Sequence, residues 1–185
     1  RPPRSTHCIS SAASDVYKRQ VLELGTGSGA IAIALAKERP DLSITATDIS
    51  IQALEVAREN ARKHKCKITL EHSDWFESVS GTWNLILSNP PYIAENDPHL
   101  DFLAMEPRVA LVSGPTGFEA LDALIENAHS HLKPCGHLII EHGIGQAQEI
   151  KKKLASHNFT EISSHKDLAN INRIVTAQRV SPEYG

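Results

Sequence analysis

The sequence predicts an α/β domain built on a mostly parallel, seven-stranded sheet with an antiparallel strand near the C-terminus. Three observations predict it. Short apolar or β-branched runs alternate with stretches of helical spacing, the pattern of strand–helix–strand units. A glycine cluster, Gly25-Thr26-Gly27-Ser28-Gly29, joins the first such run to the first helical stretch. The last two strand-like runs lie close together with no helical pattern between them, so one is expected to run antiparallel.

Each element has its own justification. Residues 21–24 form a short apolar-rich strand. Residues 30–38 read as a helix with Ile31, Ala34 and Leu35 on one face, ended by Pro40 and Asp41. The β-branched run 42–47 is the second strand. Ser50 is placed to cap a helix over 51–64, where Leu54, Ala57 and Ala61 give an amphipathic spacing. Strands follow at 67–70 and 83–87, the latter stopped by Asn89-Pro90-Pro91, since two prolines cannot continue a ladder. Residues 92–116 read as a long loop, and loops of that length are usually functional or disordered. A helix is expected over 117–132, a strand over 137–141, a helix over 146–157, and closing strands over 159–163 and 171–177.

Composition sets the outer bounds. A chain of 185 residues with 41% hydrophobic and 22% charged residues fits one folded domain and excludes disordered and fibrous classes. Its three cysteines, Cys8, Cys66 and Cys135, are odd in number and far apart, which indicates neither a disulfide framework nor a zinc cluster. That favours a reducing, cytoplasmic setting. No apolar run approaches the roughly 18 residues of a membrane-spanning helix. The net charge is −3, but residues 1–20 carry +3 and leave −6 on the rest. An acidic body argues against a partner held mainly through phosphates, so no direct nucleic-acid binding is expected.

Residues 1–20 are expected to be a disordered, non-native arm. They show no helical or strand periodicity until their last few positions. The segment Asp15-Val16-Tyr17-Lys18-Arg19-Gln20 resembles a translated transposon or adapter scar. The folded domain is expected over 21–180.

The candidate chemistry begins at the glycine loop. Glycines there permit a tight turn and close approach of a ligand to the backbone, and the following helix start offers unpaired N–H groups. The spacing is not that of the nicotinamide fingerprint. Asp48, about twenty residues on, ends the second strand, where an acid can hold two ribose hydroxyls. Asp74-Trp75 follows the third strand, where an acid can accept from an adenine amino group and an aromatic can cover the ring. Glu23 lies at the loop, and an acidic pocket suits a cationic ligand such as S-adenosylmethionine.

Asn89-Pro90-Pro91-Tyr92 ends the fourth strand on the same sheet edge. This set suits a planar NH2 group, whose delocalised lone pair makes it a poor nucleophile. The Asn89 side-chain oxygen can accept one N–H and the Pro90 carbonyl the other. Two acceptors orient the plane and stabilise positive charge growing on nitrogen as a methyl group arrives. Tyr92 can pack over the planar group. The plainer reading, that Asn-Pro-Pro only terminates a strand, loses weight behind the glycine loop and the two acids.

At this point the sequence resembles the release-factor glutamine methyltransferases. The resemblance covers about 21–179. It rests on Val21-Leu22-Glu23-Leu24-Gly25-Thr26-Gly27-Ser28-Gly29, Ser73-Asp74-Trp75-Phe76, Ser88-Asn89-Pro90-Pro91-Tyr92-Ile93, Asp97-Pro98-His99-Leu100, Glu106-Pro107 and Leu138-Ile139-Ile140-Glu141-His142-Gly143. It implies a Rossmann-like, S-adenosylmethionine-dependent methyltransferase fold. The implied reaction is methyl transfer to the side-chain amide of the glutamine in the Gly-Gly-Gln motif of class I peptide release factors. By resemblance, Asn89, Pro90 and Tyr92 are catalytic. Glu23, Gly25, Thr26, Gly27, Gly29, Asp48, Ile49, Asp74, Trp75 and Asn89 hold the cofactor. Asn89, Pro90, Pro91, Tyr92, Glu106 and Pro107 meet the substrate. The expected partner is a class I release factor, with no metal, no membrane and a monomeric state.

Three departures stand out. The family usually has Asp where this chain has Glu23. The segment between Leu100 and Glu106 is about two residues short. The family also carries an N-terminal helical domain, which is expected to be missing before residue 21, and the further expectation is a folded catalytic domain with weakened activity. The alternatives are a methyltransferase for an exocyclic amine in RNA or DNA, and an inactive cofactor-binding fragment.

Overall fold

The computed structural model describes residues 19–103 and 105–180. Residues 1–18, which hold most of the expected arm, lie outside that range. Arg19 and Gln20 lie inside it and correct the expected boundary. The Arg19 carbonyl accepts from the Ser43 N–H, and Gln20 is already a paired strand residue.

The elements are β1 (Gln20–Leu24), α1 (Ala30–Glu38), β2 (Ser43–Asp48), α2 (Ile51–Lys63), β3 (Thr69–His72), β4 (Trp83–Ser88), α3 (Arg108–Leu111), α4 (Glu119–His131), β5 (Leu132–Glu141), α5 (Ala147–Ser156), β6 (Phe159–Lys166) and β7 (Asn172–Arg179). The strand order is β3-β2-β1-β4-β5-β7-β6. The first five strands are parallel, and β7 runs antiparallel to both β5 and β6. This is the predicted fold class, with β7 as the reversed strand between two others.

Alternation along the strands builds two cores, because a parallel sheet is covered on both faces. Val21, Ile44, Ala46 and Leu87 pack with Ala32, Leu35 and Ala36 of α1. Leu22, Leu24, Ile86, Leu138, Ile140 and Val175 face the other way, onto Leu121, Leu124 and Ile125 of α4 and Ile150 and Leu154 of α5. α2 buries Leu54, Ala57 and Ala61, at the predicted spacing, whereas α1 buries Ala32 and Ile33 and leaves Ile31 and Ala34, expected on its inner face, exposed.

Several boundaries differ from expectation for local reasons. β3 starts two residues late, because its register is set by Asp48 opposite His72 and Thr45 opposite Thr69. The chain before it closes the end of α2, with Lys65 at a positive φ of 57° and the Cys66 N–H bonded to the Ala61 carbonyl. α4 starts at Glu119 rather than 117, since Gly117 has φ 79°. β5 reaches back to Leu132, which pairs with Trp83 across an irregularity in the register. Cys135 is disulfide-bonded, which the cysteine count did not anticipate, and Cys66 is free.

The expected long loop after β4 is organised rather than open. Residues 93–95 run beside 111–114. The Ile93 N–H donates to the Leu111 carbonyl, Ser113 N–H to Ile93, and Glu95 N–H to Gly114. An isolated parallel bridge joins Ile93 and Val112. These bonds close the base of an excursion that holds a 3-10 turn over Pro98–Leu103 and the short helix α3. No helix among the described residues is long and apolar enough to cross a membrane.

Candidate active site

The strand order reverses direction between β1 and β4, and ligands in such sheets bind at the C-terminal ends of the strands beside that point. The glycine loop leaves β1 there, and Asn89 leaves β4 there. Leu24 and Ser88, the last residues of the two strands, are register partners. The Ser88 hydroxyl donates to the Leu24 carbonyl at 2.8 Å.

Glu23 holds the loop from below. Its side chain is 2% exposed. One carboxylate oxygen accepts from the Thr26 hydroxyl at 2.7 Å and from the Ala32 N–H at 3.1 Å. Ala32 is the third residue of α1, whose cap residue Gly29 offers no side chain, so Glu23 supplies the missing N-terminal acceptor from the preceding strand. Burial pushes the Glu23 carboxyl up to about 7; the two hydrogen bonds pull it down, and the Asp48 carboxylate adds a smaller upward push. Glu23 therefore shapes the loop from underneath rather than presenting a carboxylate at its surface. Thr26 is likewise buried in this contact.

Gly25 and Gly27 have φ of 70° and 55°, and a Cβ added to either would meet nothing within 4 Å. The space in front of them is open, which is the cradle a ligand lying against backbone requires. Gly29 is different: a Cβ there would meet Ala57 Cβ at 3.1 Å, so its role is close packing of α1 on α2.

Asp48 uses both oxygens locally. One accepts from the Gly27 N–H and the other from the Ser50 N–H, each at 2.8 Å. The acid braces the loop and the entrance to α2 while staying half-buried. Ile49 is 50% exposed beside it, and its carbonyl lies 3.0 Å from His72 Nε2. Across β3, Asp74 is exposed. Trp75 sits at φ 44°, with its carbonyl bonded to the Ser73 hydroxyl, and its half-buried ring leans on the α4/α5 core.

Of the amide motif, Asn89 is exposed, Pro90 buried, and Pro91 and Tyr92 half-buried. Burial raises the Tyr92 phenol first; the Glu141 carboxylate raises it further, Arg173 opposes this, and Glu106 adds to it. Glu106 is thus brought into the electrostatic neighbourhood of Tyr92 by the excursion after β4. Glu106 and Pro107 are both exposed at the start of α3. The fifteen predicted site residues lie at the C-terminal ends of four strands, β1 to β4, and on this excursion.

Three contributors were not among the predicted site residues. Glu141 at the end of β5, Arg173 in β7 and Gln146 at the start of α5 all converge on Tyr92. Glu141 falls in the motif that carried the family resemblance, but only the paired strands bring it to β4. Arg173 comes from a strand with no motif at all.

The open glycine cradle at the reversal of strand order, with acids at the next two strand ends and a proline-stiffened amide motif beside it, defines a methyltransferase-type α/β fold. A methyltransferase structure from Pyrococcus furiosus superposes with a TM-score of 0.68 at 21% identity, covering 89% of this chain and 78% of that one. The chain belongs to the methyltransferase small domain family, which it matches over residues 5–106. It is 40% identical over 164 residues to the release factor glutamine methyltransferase of Coxiella burnetii, covering 88% of this chain and 59% of that protein. It is 41% identical over 165 residues to the release factor glutamine methyltransferase of Xylella fastidiosa strain Temecula1, covering 87% and 60%. The chain thus spans about 60% of the length of these curated relatives.

Proposed function

We propose that this chain transfers a methyl group from S-adenosylmethionine to the side-chain amide nitrogen of a glutamine, that of the Gly-Gly-Gln motif in a class I peptide release factor. It would act in the cytoplasm. The observation that carries the reading is the exposed Asn89 side chain at the end of β4, one residue beyond the strand pair that begins the glycine cradle. The names of the relatives support the choice of acceptor.

The residues present fit the donor. Open space in front of Gly25 and Gly27 accommodates the methionine portion against bare backbone. Asp48 ends β2 and Ile49 follows it where a ribose would lie, and exposed Asp74 with Trp75 follows β3 where an adenine would lie. When bound, S-adenosylmethionine supplies an electrophilic methyl on a sulfonium.

The chain's own residues then do the orienting. The Asn89 side-chain oxygen and the Pro90 carbonyl accept the two amide N–H bonds of the glutamine and hold its plane. They also favour positive charge as it grows on nitrogen. Pro90 is buried, and both prolines lack an N–H, so this turn is stiff and offers no competing donor. Tyr92 walls the amide on one side. No general base is needed before attack, because methylation itself acidifies the nitrogen. Alignment supplies most of the rate.

The rim around this site favours protein over nucleic acid as acceptor. Glu95, Asp101 and Glu106 are exposed on the excursion after β4, and such a rim repels phosphates. The deciding experiment offers methyl-labelled donor with a release factor, with the same factor carrying Gln→Ala in its Gly-Gly-Gln motif, and with total RNA. Label on the wild-type factor alone supports the reading. Label on RNA alone overturns it in favour of exocyclic-amine transfer.

A further inference from the structure

We propose that Gln146 is a positioning residue that sets the conformation of the Asn89–Tyr92 turn; the catalytic consequence rests on the methyl-transfer reading above. Gln146 occupies the cap position of α5, where Ser, Thr, Asp or Asn would normally bond back to the helix. Its side chain makes no such bond. Instead Nε2 donates to the Tyr92 carbonyl and the Gly117 carbonyl, each at 3.1 Å, and Oε1 accepts from the Gly143 N–H at 2.8 Å. One amide therefore ties together the chain leaving β4, the entrance to α4 and the chain leaving β5.

The chemistry of the three partners selects the side chain. Two carbonyls and one N–H need a group that donates twice and accepts once from adjacent atoms, which a primary amide does and a carboxylate, hydroxyl or ammonium does not. Two of the three backbone partners, Gly117 and Gly143, are glycines for a steric reason. A Cβ on Gly117 would stand 2.7 Å from the Tyr92 carbonyl oxygen, and one on Gly143 would stand 3.0 Å from both Gln146 Oε1 and Tyr92 Cδ2. The clamp is mounted on a fixed base, since Ile150 and Leu154 of α5 are fully buried. Holding the Tyr92 carbonyl orients its peptide plane, two residues beyond the Pro90 carbonyl.

The test compares Gln146→Leu, which keeps bulk, with Gln146→Glu, which keeps shape and the acceptor but sets an oxygen against two carbonyls. Both are measured at a temperature where circular dichroism shows each folded. The expected result for Gln146→Leu is a kcat for release-factor methylation lowered about tenfold or more, with donor Kd unchanged within twofold. Amide hydrogen exchange over residues 92–95 should quicken. Gln146→Glu should lose at least as much near pH 8, then recover relative to wild type as pH falls and a protonated carboxyl can donate to one carbonyl again; Gln146→Leu should show no such recovery. Flat pH ratios for both variants, or unchanged exchange over 92–95, would overturn the assignment. Absence of methyl transfer by the wild type would instead count against the proposed function, and the exchange measurement would still decide the role of Gln146.

Discussion

The Ser88 hydroxyl donates to the Leu24 carbonyl at 2.8 Å and so pins the last residue of β4 to the last residue of β1. Both residues are buried. Asn89 and Gly25 are the next residues in the two chains, so this bond spaces the amide motif from the glycine cradle. Ser88→Ala removes it from an interior carbonyl, at a cost of about 1 kcal/mol in urea-induced unfolding. The variant should lower kcat more than it weakens donor binding. An unchanged kcat would show that the ladder alone holds this spacing.

Asn89 is exposed and stands apart from the loop bonds that Glu23 and Asp48 provide. Asn89→Ala should reduce methyl transfer by roughly 10²- to 10³-fold, the usual loss when a group that stabilises growing charge is removed. Calorimetric affinity for S-adenosylmethionine should stay close to that of the parent. Loss of donor binding together with transfer would assign Asn89 to the donor rather than to the amide.

Glu23 predicts a pH-dependent stability. Its carboxyl rises from 4.5 to about 7 in the folded chain, chiefly through burial. A raised acid binds its proton more tightly when folded, so this contribution is fully present below about pH 4.5 and is lost as pH rises through about 7. The expected loss is on the order of 3 kcal/mol across that window. Thermal midpoints of the wild type and Glu23→Gln, measured from pH 5 to pH 8.5, should diverge as pH rises, with the variant the flatter. Parallel curves would mean that Glu23 stays ionised throughout.

Gly29 tests the packing role of the third glycine. It has φ 80°, and its Cβ would meet Ala57 Cβ at 3.1 Å and the Ala57 Cα at 3.3 Å. Gly29→Ala adds left-handed strain to a contact with helix backbone, so a loss of about 1–3 kcal/mol is expected in chemical denaturation. Gly25→Ala carries the strain without the contact and should cost less stability. Equal losses would place the whole effect in the backbone conformation.

The candidate site's position in the fold is legible along the chain. The glycine loop, Asp48, Asp74-Trp75 and Asn89-Pro90-Pro91-Tyr92 each follow a recognisable strand, and parallel strands deliver their C-terminal ends to one edge. The working of those residues was less legible. Glu23 looked like part of an acidic pocket, yet it is a buried brace that caps α1 through Ala32. Asp48 looked like a ribose ligand and also braces Gly27 and Ser50. Residues 92–116 looked like a long loop because the bonds between 93–95 and 111–114 join positions too far apart for any local periodicity to reveal.

The sequence by itself determined the alternation of strand and helix and the turn chemistry at Gly25–Gly29 and Asn89–Tyr92. These follow from local periodicity and from the special backbones of glycine and proline, which act over a few residues. Only the tertiary structure decided what those turns rest on. Gln146 reaches the Tyr92 carbonyl across 54 positions, Ser88 reaches Leu24 across 64, and Arg173 comes to Tyr92 from the reversed strand β7. Such bonds depend on strand order and register, which are set by packing of the whole sheet against its two helical layers rather than by any segment of the chain.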